Sequence, residues 1–167
     1  MTVTLREVFP AWSRLNEETS RAIANLSAVD LACSPGPGRW PLWAIIGHAA
    51  CQRVFWLCDI AGEPGAAESM FPNAAWHCPG DDDLDHPFDA FALVRALDET
   101  FRIIERALDG WPLSSLSQEI DLSDEEPGRV HTRGFVIERV FAHDVWHAAE
   151  ANEVLTALGR PVIDPWR

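Results

Sequence analysis

Four segments of the chain repeat apolar residues at alternating spacings of three and four, which is the pattern of a helix with one buried face. The sequence between them is rich in Gly and Pro, which interrupt helices. No internal repeat relates the segments, and amphipathic helices of this length bury their apolar faces against one another. The sequence therefore predicts an all-α fold, a four-helix bundle. The predicted helices span about residues 5–29, 41–61, 90–109 and 133–158.

The length and net charge of the chain limit which kinds of protein it can be. The 167 residues are predicted to form one domain, 1–167, since this length buries about two-thirds of the unfolded surface in a single core. The net charge is −13, with 26 acidic and 13 basic residues. Such an acidic surface repels phosphate groups, and we therefore expect neither nucleic acid nor a membrane as partner. The expected partner is a small-molecule substrate. No signal-peptide pattern or long apolar run is seen, which predicts a cytoplasmic protein.

The four cysteines form no C-x-x-C pair, which excludes a zinc ribbon or a thioredoxin-like motif. In the cytoplasm they are predicted to be reduced thiols, most of them packed in the interior as small hydrophobic groups. The cysteines are Cys33, Cys51, Cys58 and Cys78.

The inner stripe of the last predicted helix is interrupted by polar residues. Two of them, His143 and His147, are four apart, so their side chains lie one above the other. Burying such groups costs on the order of a few kcal/mol each unless they are satisfied. Each histidine could form a hydrogen bond with a carbonyl or carboxylate in the core, or one metal ion could bind both histidines. The stripe runs through Val136, Val140, His143, His147, Glu150 and Val154.

A third histidine favours the metal. His48 lies on a largely apolar face of the second predicted helix, and Gly47 before it lets a neighbouring group come close. The sequence thus predicts one divalent transition metal on His48, His143 and His147. Imidazole ligands suit Zn, Ni, Fe or Cu, and the open positions that three ligands leave are typical of catalytic sites.

These residues resemble a known family. The pattern Trp40…Gly47-His48, then Thr132-Arg133-Gly134, then His143-x-x-x-His147-x-x-Glu150 is similar to the DinB/YfiT-like superfamily, which includes damage-inducible DinB proteins and thiol-dependent S-transferases. The resemblance runs from the first helix to about Gly159. It implies a four-helix bundle with a long crossover between helices 2 and 3. It also implies a divalent metal on the three histidines and a low-molecular-weight thiol as cofactor. Many relatives have Gln where this chain has Glu150, and His where it has Trp146.

The expected function is that of a metal-dependent enzyme that transfers a low-molecular-weight thiol or uses metal-activated water. Glu150 is the candidate catalytic residue, either accepting a proton or orienting a histidine. Its alternative role is as partner of a core arginine such as Arg53. Cys51, three residues after His48, is an alternative thiolate ligand.

Three other classes of metal-binding protein share parts of this pattern. A zincin protease would need a third ligand after His147, and no histidine follows it. A di-iron bundle would need Glu-x-x-His pairs, and no Glu is followed by His at that spacing. A non-catalytic bundle that binds a metal or a small ligand stays open.

The remaining predictions concern surfaces and connections. The long connection 62–87 is predicted to anchor Phe71 and Trp76 on the helices, and 118–122 to form a small hairpin with a turn at 125–128. His77, His86 and His131 are predicted at the surface. Exposed aromatics such as Trp12, Trp43 and Trp56 predict a homodimer, because they exceed what one core can bury.

Overall fold

The computed structural model describes residues 3–75, 77–121 and 130–166, most of which are helical. The long helices pack on one another: α4 contacts α5 and α6, and α2 contacts the same two helices. Within the described residues, no helix is both long and apolar enough to cross a membrane. The α-helices are α1 (Leu5–Val8), α2 (Trp12–Ile23), α3 (Ala28–Leu31), α4 (Leu42–Val54), α5 (Ala90–Gly110) and α6 (Arg133–Ala157).

The prediction of one helix over residues 5–29 is wrong, because the segment divides into α1, α2 and α3. Pro10 lacks an N–H group and its ring obstructs the preceding turn, so α1 stops before it. Ser27 then starts α3, accepting a hydrogen bond from the Asp30 N–H. The break turns Val29 outward, and its side chain is 77% exposed. Local helix-start and helix-stop signals here outweigh the apolar periodicity.

The second predicted helix is present as α4 followed by a π-helical segment, Phe55–Ile60. Every residue from Leu42 to Cys51 is buried. This helix therefore lies at the centre of the molecule, which is why α5 and α6 both pack on it. His48, near its middle, is held inside the fold.

The long connection after α4 contains a short 3-10 helix, Ala66–Glu68, and buries Phe71 as predicted. Trp76 lies outside the described residues. Cys78 in this connection forms a disulfide with Cys51 of α4, with a Cα–Cα distance of 5.8 Å. The prediction of reduced thiols is thus wrong for this pair. Sequence spacing could not predict the bond, because the path of the connection brings the two cysteines together.

The predicted hairpin is present, with β1 (Glu119–Asp121) antiparallel to β2 (Val130–Thr132). Its predicted turn at 125–128 lies outside the described residues. The Thr132 side chain accepts a hydrogen bond from the Phe135 N–H and so caps α6. The hairpin therefore sets where α6 begins.

The aromatic residues behind the homodimer prediction are not at the surface. Trp12 and Trp43 are buried and Trp56 is partly buried, because Trp12 packs on Phe141, Trp43 on Phe88, and Trp56 on His131 and Phe135. The prediction that these three are exposed is wrong. Other aromatics, Trp146 and Trp166 among them, are exposed instead.

Candidate metal centre

The fold brings His48 of α4 together with His143 and His147 of α6. One ring nitrogen from each histidine can be chosen so that all three lie within 4.8 Å of one another. The ring centroids are 4.3 to 5.1 Å apart. Helix spacing aligns the two histidines of α6, and the packing of α4 on α6 adds the third. One ion could contact all three rings.

Two of the rings are oriented by a bond to the nitrogen that faces away from the cluster. Nδ1 of His48 is 3.1 Å from the carbonyl oxygen of Pro79, which can only accept, so Nδ1 carries the proton. Nδ1 of His147 is 2.8 Å from Oε2 of Glu150, which fixes the same tautomer. Both Nε2 atoms are thereby left with a free lone pair. This is the usual arrangement of metal-binding histidines.

His143 supplies the test of whether a cation fits. Its Nε2 is 3.1 Å from Nε2 of His147, and its buried Nδ1 has no hydrogen-bond partner among the described residues. Without an ion this contact is a hydrogen bond only if Nε2 of His143 carries the proton, which leaves Nδ1 as a buried acceptor without a donor; if Nδ1 carries it, the two Nε2 lone pairs face each other and repel. Two nitrogens bound to one tetrahedral zinc at ~2.0–2.1 Å would lie about 3.3 Å apart. The spacing and the donor set therefore fit a divalent ion.

The cluster is uncharged at neutral pH. Burial lowers the pKa of all three histidines, and the neighbouring rings of His147 and His48 lower that of His143 further, to about 3. Imidazoles must be neutral to bind a metal. The three lone pairs are consequently available at pH 7 without loss of protons.

We expect the metal-free protein to lose stability as the pH falls from 6.5 towards 5. The ordinary histidine pKa of 6.5 applies to the unfolded chain, whereas burial holds the folded values lower. Below 6.5 the unfolded chain thus binds protons that the folded chain does not, and the free energy of unfolding falls; above 6.5 neither state is charged. Urea unfolding of chelated protein between pH 7.5 and 5 measures the effect. His143→Asn should reduce the slope, and an unchanged slope would contradict this explanation.

A buried ion pair lies next to the histidine cluster. Arg53 of α4 is 2% exposed and Asp144 of α6 is 4% exposed. The Arg53 Nη2 and Nε atoms lie 2.9 and 3.0 Å from the Asp144 carboxylate. Nε1 of Trp12 donates to the same carboxylate at 2.7 Å, and Nη1 of Arg53 donates to Oδ1 of Asn16 at 2.8 Å. These bonds connect α2, α4 and α6 next to His143.

Glu150 lies on the face of α6 that the sequence predicts, but it pairs with a different cation from the predicted Arg53. Besides His147 it pairs with Arg39, while Arg53 is taken by Asp144. The alternative reading of Glu150 as partner of Arg53 is therefore wrong. The carboxylate lies on the outer side of His147, one turn further along α6.

Two cavities open beside the cluster, and the indole of Trp146, which is 68% exposed, lines both. In the described part of the chain the first, of about 340 Å³, is lined by Phe135, Glu138, Arg139, Ala142, His143 and Trp146. The second, of about 290 Å³, is lined by Gly38, Arg39, Trp40, Trp146, His147 and Glu150. Each cavity thus reaches one of the two α6 histidines. A molecule in either would lie against the cluster.

The other histidines lie outside the cluster. His77 and His86 are exposed as predicted. His131 is buried, with its ring stacked on Phe135 at 4.5 Å, so its predicted surface position is wrong. The hairpin turns it inward, which its sequence neighbours do not indicate.

The sequence analysis missed the Pro79 carbonyl beside the site, and it included Trp40 in the motif without predicting that its ring packs 4.8 Å from His48. A backbone carbonyl leaves no sequence signal. Asp144 was within reach of prediction, because it shares a helix face with Ile137, Val140 and Ala151.

Comparison with known proteins supports the same relationship. The family model of the DinB superfamily matches residues 11–151. A crystal structure of a DinB-like protein from Bacillus cereus superposes with a TM-score of 0.71 at 16% identity, covering 97% of each chain. At that identity the likeness concerns the fold alone. No curated protein sequence matches the chain significantly.

Proposed function

The chain belongs to the DinB superfamily, and on that premise we propose that it is a metal-dependent enzyme acting on small molecules. Its metal ligands in this proposal are His48, His143 and His147, and its reaction is the transfer of a low-molecular-weight thiol or attack by activated water. A divalent Zn, Ni or Fe ion there would lower the pKa of a bound thiol or water towards neutrality.

The observation that carries this proposal is the convergence of three neutral imidazoles beside two cavities. The Nδ1 atoms of His48 and His147 are occupied by Pro79 and Glu150, so their Nε2 atoms are directed to the cluster. A structural site is normally closed by four protein ligands. Here three histidines meet, and the space beside them is large enough for a small molecule.

Glu150 is proposed to support catalysis by orienting His147. A carboxylate on the outer nitrogen makes the imidazole a stronger ligand and holds its ring plane. Arg39 pairs with the same carboxylate and holds it in place. In the alternative role, as a proton acceptor, Glu150 would have to exchange its bond to His147 for one to the substrate.

We also propose a finer description of the fold. We take α2, α4, α5 and α6 as a four-helix bundle in which the connection 61–89 is the crossover, within a single domain 1–167. The pairwise packing of these helices supports it. A cytoplasmic location and a homodimer remain predictions.

A non-catalytic protein that binds a metal or a small ligand is the second candidate. The bonds of Glu150 to both His147 and Arg39 favour it, since a carboxylate held twice is poorly placed to move protons. Turnover separates this candidate from the first.

The test is thiol transfer by protein purified without chelator. We expect conjugation of cysteine or glutathione to an electrophile such as chlorodinitrobenzene, with loss of activity on chelation and recovery on adding metal. Glu150→Gln should keep the metal and lose about 10- to 100-fold in activity, while the exposed Glu153→Gln on the same helix should change neither. Bound metal without turnover over a broad panel of thiols would favour the non-catalytic protein.

A further inference from the structure

The loop that orients His48 is attached covalently to the helix that carries it. Cys51 lies three residues after His48 on α4, and Cys78 directly precedes Pro79, whose carbonyl oxygen accepts from His48 Nδ1. The disulfide and the hydrogen bond therefore join the same two segments side by side. Any displacement of Cys78 moves the neighbouring Pro79 carbonyl.

The loop also fits closely against its surroundings at this point. A Cβ atom on Gly47 would lie 3.1 Å from the Pro79 ring, so glycine is what lets Pro79 approach α4. Gly80, with φ of +86°, passes so near Trp40 that a Cβ would lie 2.9 Å from the indole. Trp40 in turn packs on His48. The space between α4 and Trp40 therefore accommodates the loop in one position.

Two other hydrogen bonds of the loop stay within it. The Cys78 N–H donates to Oδ2 of Asp82 at 2.7 Å, and the Gly80 N–H donates to the carbonyl of Asp83 at 3.0 Å. These two bonds give the loop its shape. Its other polar contacts to α4 are longer: Nε2 of Gln52 donates to Sγ of Cys78 at 3.6 Å, and Oδ2 of Asp81 lies 3.6 Å from Nδ1 of His48. The covalent connection near His48 is the disulfide.

We propose that the Cys51–Cys78 disulfide positions the Pro79 carbonyl on His48, so that reduction of the disulfide weakens metal binding by the three histidines. This inference rests on the proposed metal site. Reduction takes two electrons and two protons from two thiol molecules, which leave as their own disulfide, and Cys51 and Cys78 become thiols.

The physical reason is the tautomer of His48. While Pro79 accepts from Nδ1, the proton stays there and Nε2 keeps its lone pair for the metal. Once the loop is released, the proton can sit on either nitrogen and the ring can turn. Loss of such an outer partner typically lowers metal affinity by about 10- to 100-fold. Cys51 and Cys78 are then positioning residues, acting through Pro79.

The experiment measures Co²⁺ affinity by absorption titration of the oxidised wild type, Cys51→Ser and Cys78→Ser. Both variants should bind Co²⁺ about 10- to 100-fold more weakly, whereas Cys58→Ser, at a cysteine outside the disulfide, should bind like wild type. Wild-type affinity in Cys78→Ser would overturn the proposal, as would four free thiols in the freshly purified protein.

A second readout needs no metal. Imidazole ¹⁵N chemical shifts of metal-free protein should report the Nδ1–H tautomer of His48 in the oxidised wild type and a tautomer mixture after reduction with a phosphine. An unchanged tautomer would overturn the proposal even if the serine variants did not fold. If Co²⁺ did not bind the wild type at all, the proposed function would fail, and the tautomer would still decide whether the disulfide positions His48.

Discussion

Asp144→Ala is expected to lower the free energy of unfolding by about 3–5 kcal/mol, because it leaves the guanidinium of Arg53 buried without its counter-charge. The same change removes the acceptor of the Trp12 indole N–H. Asn16 and the carbonyl of Leu97 still accept from Arg53, but neither neutralises it. Urea unfolding at pH 7.5 with chelated protein measures the loss.

The exposed carboxylate of Asp98 on α5 provides the control, and Asp98→Ala should change stability by no more than about 0.5 kcal/mol. Replacing both partners, Arg53→Met with Asp144→Leu, should recover most of the loss, since the cost lies in the unpaired charge and not in the missing bonds. A loss below about 1 kcal/mol for Asp144→Ala would show that water reaches Arg53.

His143→Ala is expected to weaken binding of Zn²⁺ or Co²⁺ by more than about 100-fold. Loss of a group that only orients a metal ligand costs up to about 100-fold in affinity, and loss of the ligand itself should cost more. Only His48 and His147 would remain from the cluster, and two neutral ligands hold a divalent ion poorly. The protein should still fold, because the variant removes a buried Nδ1 that has no partner among the described residues.

Metal analysis of unchelated protein and competition with a chelator of known affinity measure this effect. His131→Ala is the matched control: it removes a buried histidine on the neighbouring hairpin that contacts Phe135 and Trp56 and lies outside the cluster. Equal affinities for wild type and His143→Ala would exclude His143 as a ligand.

The parts of the site that could be predicted depend on local geometry. A helix places residues four apart on one face, so the periodicity of α6 was enough to pair His143 with His147 and to put Glu150 beside them. The apolar stripe of α4 likewise indicated that His48 points inward. The hairpin and α5 follow from equally local signals.

The failures have a common physical cause in contacts between distant segments. Arg53 and Asp144 are 91 residues apart, and the residues that surround each of them in the sequence do not indicate that the two pair. The burial of His131 depends on where the hairpin lies against Trp56. The division of the N-terminal segment into α1, α2 and α3 is the exception, since Pro10 and Ser27 are local signals in the sequence that indicate it.

By itself the sequence determined the helical class, the inward position of three histidines and the acidic surface, because each follows from residue type and spacing along one element. The tertiary structure decided which nitrogen His48 and His147 offer. The Pro79 carbonyl meets His48, and Cys78 bonds to Cys51, only because the long connection returns to α4. Hydrogen bonds and disulfides need particular atoms within a few ångströms of one another, and chain periodicity does not specify that proximity between separate elements.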